Sequence, residues 1–134
     1  MTADSPKPVI ILGAAPPLPA FAVPRSPDWP EARRDHLRIE PACLITGIDD
    51  PKRLNVHHGL PFHLFPEREL DQSNLYTLAE SPINVHFLFG HGGRSWLDYN
   101  PAIRSQLKLL RKVYRDLAKS IVRGRAQALA LPPY

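Results

Sequence analysis

Proline sets the outer limits on what this chain can build. It supplies 16 of 134 residues, more than twice its usual share of ~5%. Each one removes a backbone donor and biases the preceding residue toward extended backbone. Eight fall within the first 30 residues, from Pro6 to Pro30. That stretch reads as a largely irregular arm over residues 1–27, with one short strand at Lys7–Gly13. The later prolines punctuate instead. Pro30 suits the first turn of a helix over Trp29–Ile39, which Asp28 can cap and Pro41 ends. In that helix Trp29, Ala32, Leu37 and Ile39 supply apolar contacts, while Arg33, Arg34 and Arg38 stay outside. Ser81-Pro82 breaks a short helix over Asn74–Glu80, and Asn84–Phe89 resumes as a second helical piece. Pro101 opens the clearest helix, which runs to about Ala130. Its apolar residues Ile103, Leu107, Leu110, Tyr114, Leu117 and Ile121 form a heptad seam, and Asn100 can cap it.

Between these pieces, Cys43–Thr46 and Leu54–His57 read as two short strands. The turn chemistry of Gly47–Arg53 joins them into a β-hairpin. Gly59 to Asp71 is a loop. The fold class is therefore α+β, in one domain: an arm (1–27), a core (28–100) and a C-terminal helix (101–130) packed on it. No apolar run approaches the ~20 residues of a membrane span, and no membrane partner is expected. The lone Cys43 excludes an internal disulfide and a four-cysteine zinc cluster, and a reducing cytoplasm is the default compartment.

The net charge of +4 hides an asymmetry. Residues 1–100 carry 9 Lys/Arg and 12 Asp/Glu, whereas residues 101–134 carry 8 Lys/Arg and only Asp116. Arg104, Lys108, Arg111, Arg115 and Lys119 recur at helical steps, and Lys112 widens the stripe. Such a stripe is either a solvated helix face or a phosphate-tracking surface for DNA, which would position the duplex without reading bases.

Five of the six histidines lie between positions 57 and 91: His57, His58, His63, His86 and His91. Adjacent residues on a strand point to opposite faces, so His57 and His58 have different tasks. One can ligate a divalent ion, and His86 can close the same site from another element. Two protein ligands leave positions for water and a phosphate oxygen, as metal-assisted phosphodiester hydrolysis requires. The other histidine suits a general base for the attacking water. His63 and His36 read as structural.

Residues 29–103 resemble the HNH nucleases of phages and bacteria. The stretches that carry the resemblance are Leu54-Asn-Val-His-His-Gly-Leu-Pro-Phe-His63, Glu69-Leu-Asp-Gln-Ser-Asn-Leu-Tyr-Thr-Leu-Ala-Glu80, Asn84-Val-His-Phe-Leu-Phe-Gly-His-Gly-Gly93 and Tyr99-Asn-Pro101. An upstream Trp-Pro-x-x-Arg-x-x-His-Leu pattern at Trp29–Leu37 is similar too. The resemblance implies a ββα-metal core: a β-hairpin and a short helix around one divalent ion. It implies His57 and His86 as metal ligands, His58 as general base and Asn74 as the residue that braces the loop and orients the base. His91 is a further candidate ligand. In a regular helix its five-residue step from His86 misses the same face, unless Gly90 distorts the turn.

The implied activity is DNA hydrolysis by a metal-dependent endonuclease. Mg²⁺ or Mn²⁺ is the first expectation, with Zn²⁺, Ni²⁺ or Co²⁺ also compatible. Relatives often hold a separate four-cysteine zinc. Here those positions are Cys43, Thr46, Ala79 and Val85, so no structural zinc is expected. Similarity to phage members implies work in DNA processing or packaging, with terminase or packaging proteins as partners, in the host cytoplasm. A homodimer would place two sites for two strands. The alternative reading is a non-catalytic DNA-binding module, or an accessory subunit, whose histidines hold a structural metal.

Overall fold

In a computed structural model, which describes the backbone of residues 23–130 and side chains as far as 125, two strands organise the chain. Strands β1 (Leu54–His58) and β2 (Leu75–Ala79) pair antiparallel, from Leu54 opposite Ala79 to His58 opposite Leu75. The ladder is extended at one end by Gly59 N–H donating to the Asn74 carbonyl, and at the other by Glu80 N–H donating to the Arg53 carbonyl. All five β2 residues are buried. Helix α1 (Trp29–Ile39) packs against both strands. A π-helical turn, His86–Gly90, also packs against both. Trp29 lies against His58 and the π turn's His86 against His57. Because successive strand residues face opposite ways, these two elements cover opposite faces of the sheet.

The hairpin is thus not the one its turn chemistry suggests. Cys43–Thr46 forms a turn: Gly47 N–H donates to the Cys43 carbonyl, and Thr46 N–H points at the Cys43 sulfur 3.4 Å away. Gly47 at φ +76° lets the chain reverse there instead of extending. The segment's side chains pack into the core, and its backbone bond to the sheet is Leu44 N–H donating to the Thr77 carbonyl on the outer edge of β2. The expected helix over Asn74–Glu80 is also overturned. Gln72–Asn74 is a single 3₁₀ turn with Asp71 accepting from Ser73 N–H, and strand β2 follows. Leu75 and Leu78 mimic helical spacing, but burial of every residue on both faces favours a strand.

The core joins Cys43, Ile45, Leu54, Tyr76, Leu78, Ala79, Val85, Ile103 and Leu110. Ala79 and Val85 are both fully buried there. Glu40, just past α1, fastens three elements. Its carboxylate accepts from Thr77 N–H (2.9 Å), from His36 Nε2 (3.0 Å) and from Arg104 (2.9 Å), and its carbonyl accepts from the Thr77 hydroxyl (2.7 Å). The free edge of β2 is thereby covered by a side chain instead of another strand. Asp28 precedes α1 as expected, but its side chain makes no capping bond. Ile39 lies in solvent.

Helix α2 (Leu107–Ala130) starts later than its sequence suggests. Residues 101–106 are spent on docking. Asn100 accepts from Ala102 N–H, the Tyr76 hydroxyl donates to the Pro101 carbonyl, and Ile103 is fully buried. The seam contacts the core through Ile103, Leu107, Leu110 and Tyr114, whereas Ile121 and Val122 are exposed. The helix is therefore packed on the core through its first third. The strand expected at Lys7–Gly13 and most of the arm lie outside the described residues. Among the described residues, no helix is long and apolar enough to cross a membrane.

Candidate metal centre

His57 on β1, His86 in the π turn and His91 just after it converge. One ligand-capable atom from each lies within 4.8 Å of the other two. The convergence depends on the π turn. A five-residue step rotates out of line on an α-helix, where successive residues differ by ~100°, but an i→i+5 turn brings it back to one face. Gly90 contributes differently from a backbone distortion. A Cβ there would stand 3.1 Å from His57 Cε1 and 3.2 Å from Leu78 Cδ1, so its bare α-carbon lets the turn approach the strand.

The hydrogen bonds of the cluster decide which nitrogens are free. His91 Nδ1 lies 2.8 Å from the Asp98 carbonyl, which can only accept, so Nδ1 carries the proton. His86 Nδ1 lies 3.0 Å from the Glu80 carboxylate, which also accepts from Asn55 at 2.9 Å. Both rings therefore present Nε2 lone pairs, and these face each other at 3.2 Å. Two lone pairs at that separation repel unless a proton or a metal ion lies between them. Nitrogens ~2.1 Å from one tetrahedral ion would stand about 3.4 Å apart, close to what is seen. His57 Nε2 is buried without a partner, the sole such side-chain atom among the described residues. An orphaned nitrogen, two opposed lone pairs and carbonyl or carboxylate partners behind the rings make a group that could hold a metal ion, with the kind of outer support metal ligands use. The three imidazoles fit a divalent ion.

Charge agrees with this. Burial, with the nearby His86, His91 and His58, pushes His57 down to about 2. Burial also lowers His86, despite Glu80 beside it. Metal ligation needs neutral imidazoles.

His58 faces the other way and makes a different contact. Its Nε2 donates to the Glu69 carbonyl at 3.0 Å, which leaves Nδ1 as the lone-pair nitrogen. Asn74 holds the loop that provides this carbonyl. Its side chain donates to the Leu60 and Arg68 carbonyls and accepts from Leu60 N–H at 2.8 Å. The carboxylate of the same Glu69, itself buried, accepts from Arg25 (3.2 Å) and from Ser26 N–H (3.0 Å). Burial lowers His58, with Arg25 adding to the effect and the Glu69 carbonyl opposing it.

A cavity of about 360 Å³ opens over this arrangement, lined by His57, His58, His63, His86, His91 and Trp96 together with Arg25 and Arg33. Its size suits a small ligand or part of a larger one. Four of its members were not legible as site residues. His63 read as structural, Arg33 as solvent-facing and Arg25 as arm, and no motif pointed to Trp96. The Pro-Phe-His spacing that follows the paired histidines was the one available signal for His63.

The basic stripe is elsewhere. Arg104 is taken up by Glu40, by the Leu75 carbonyl and by the ring of Tyr76, Arg111 binds the Leu44 carbonyl, and Lys112 pairs with Asp116. Lys108, Arg115 and Lys119 are exposed. None of the six lines the cavity. Comparison with protein-family models, curated proteins and solved structures finds no match.

The part played by Gly90 gives a direct test. Gly90→Ala is expected to push the His57 ring by a few tenths of an ångström. Zinc affinity should fall about tenfold and stability by ~1 kcal/mol. Calorimetric Zn²⁺ titration and thermal melting of the metal-free protein measure the two separately. Unchanged affinity would show that close approach at Gly90 does not set the ligand geometry.

Proposed function

We propose that this chain is a metal-dependent endonuclease of the HNH type, hydrolysing DNA phosphodiester bonds. One observation carries the reading: three imidazoles converge on one point beside a fourth histidine whose tautomer is fixed by a backbone carbonyl. The order of elements (strand, strand, helical turn) is compatible with a ββα-metal core and supports the reading. His57, His86 and His91 would hold a divalent ion through nitrogens that lack protons. When bound, the ion supplies Lewis-acid stabilisation of charge on the phosphate and leaving oxygen. His58 Nδ1 accepts the proton of the attacking water. Glu69 holds His58 by its carbonyl, and Asn74 holds the loop that carries Glu69, so both are positioning residues. Arg33 gives the cavity positive charge for a phosphate, beside Arg25, whose charge is shared with Glu69.

An all-imidazole donor set favours Zn²⁺, Ni²⁺ or Co²⁺ over Mg²⁺ and Mn²⁺, which prefer oxygen ligands. The test is plasmid cleavage by chelator-treated protein with each ion added back. Cleavage is expected with the nitrogen-preferring ions, weak cleavage with Mg²⁺, and none in chelator. A folded protein inactive with every ion would favour the binding-module reading, in which the metal is structural.

A further inference from the structure

Trp96 is 53% exposed, although its ring centroid lies 4.9 Å from that of His91, 5.5 Å from that of His86 and 4.7 Å from that of Phe87. A tryptophan that served only to cover the histidines would bury its large apolar area. This one is held half open at the cavity wall. Its loop is not loose. Gly92 and Gly93, at φ +73° and +74°, turn the chain back over the cluster. The segment is then fastened from both sides: Asp98 N–H donates to the Ser95 carbonyl, the Asp98 carbonyl accepts from His91, and Asn100 donates through its backbone N–H to the Gly90 carbonyl and through its side chain to the Phe89 carbonyl. An exposed aromatic ring on a tightly held loop, a few ångström from the phosphate-handling groups, is pre-organised to receive a flat ligand.

We infer that Trp96 is a stacking platform for an unpaired DNA base adjoining the phosphate at the histidine cluster. This inference rests on the nuclease reading for the phosphate and deepens it by naming the substrate class: single-stranded or locally opened DNA. The separation between ring and histidines is within the span of one nucleotide, so base and phosphate can belong to the same residue of the strand. Bases inside a duplex offer only their edges to a protein, whereas an unpaired base offers a face that any tryptophan can stack on. Arg25 and Arg33 line the same cavity and serve the backbone of either substrate, so Trp96 is the discriminating element.

The test uses the full chain without divalent ions, a labelled oligothymidylate as the single strand and a hairpin of equal length as the duplex. Trp96→Ala is expected to weaken oligothymidylate binding about tenfold and hairpin binding less than twofold, with Trp96→Phe close to wild type. Equal losses on both probes, or no loss on the single strand, overturn the proposal. Should Trp96→Ala also lose Zn²⁺ affinity, fluorescence decides. The chain has two tryptophans, so in Trp29→Phe all emission comes from Trp96, and oligothymidylate must quench it; absence of quenching overturns the proposal. The two readings fail separately. Quenching in a protein that cleaves nothing removes the nuclease and keeps the platform. Cleavage by Trp96→Ala with unaltered strand preference does the reverse.

Discussion

His58→Ala is expected to lower DNA cleavage by about 10²–10⁴-fold, the usual contribution of a positioned general base, while Zn²⁺ affinity stays within about twofold. The separation follows from the strand. His57 and His58 are neighbours in sequence but face opposite ways, and only His57 points into the trio with His86 and His91. His58 is tied to the Glu69 carbonyl instead. On the proposed reading, removing it takes away the proton acceptor and leaves the three imidazoles of the candidate metal site in place. His57→Ala should do the opposite and lose the metal together with the activity. Cleavage rates under saturating ion, beside calorimetric metal titration, distinguish the two variants. Loss of Zn²⁺ affinity in His58→Ala would remove the division of labour between them, and full activity would remove His58 as the base.

The second large effect lies outside the cavity, at Glu40. Burial would raise this carboxyl, but hydrogen bonds from His36, the Thr77 N–H and Arg104 outweigh it and hold the group at about 2, against an ordinary 4.5. A carboxylate with a depressed folded-state pKa stabilises the fold above its unfolded pKa, and that stability is lost as pH falls through the folded value. The protein should therefore lose about 2 kcal/mol between roughly pH 4.5 and pH 2 from this one group, allowing for screening on its open side. Glu40→Gln should remove most of that acid-dependent loss and cost a similar amount at neutral pH, because Thr77 N–H and Arg104 lose a charged acceptor. Glu40→Ala should cost ~3 kcal/mol, leaving the edge of β2 uncovered. Urea unfolding from pH 7 to pH 2 measures all three chains. Parallel stability–pH curves for wild type and Glu40→Gln would contradict the assignment.

How much of this was written legibly in the sequence depends on the range of the cause. Helix α1 was readable because Trp29-Pro30 and Pro41 act locally, and the heptad seam of α2 was readable as far as Tyr114. The pairing partner of β1 was not. Leu75 and Leu78 fit a helical step as well as a strand, and only burial between α1 and the π turn selects the strand. The same limit applies to the candidate site. The paired histidines on a strand, the loop-bracing Asn74 and His86 were expected from the residues and from the resemblance. His91 remained open because a five-residue step has two outcomes, and residue spacing alone does not separate an α from a π turn. Arg25, Arg33, His63 and Trp96 reach the cavity from four separate stretches, a convergence that no local spacing records.

The π turn carries one more consequence, concerning which changes the chain can absorb. His86 and His91 oppose each other because five residues make one turn between them, so the segment is sensitive to count more than to kind. Phe87 and Leu88 could be exchanged for other apolar residues with the imidazoles still opposed. Adding or deleting one residue there would swing one ring by roughly a fifth of a turn and dissolve the pair. The site is thus open to gradual substitution but closed to the smallest change in length, which makes the spacing from His86 to His91 a more durable signature of this centre than the residues that fill it.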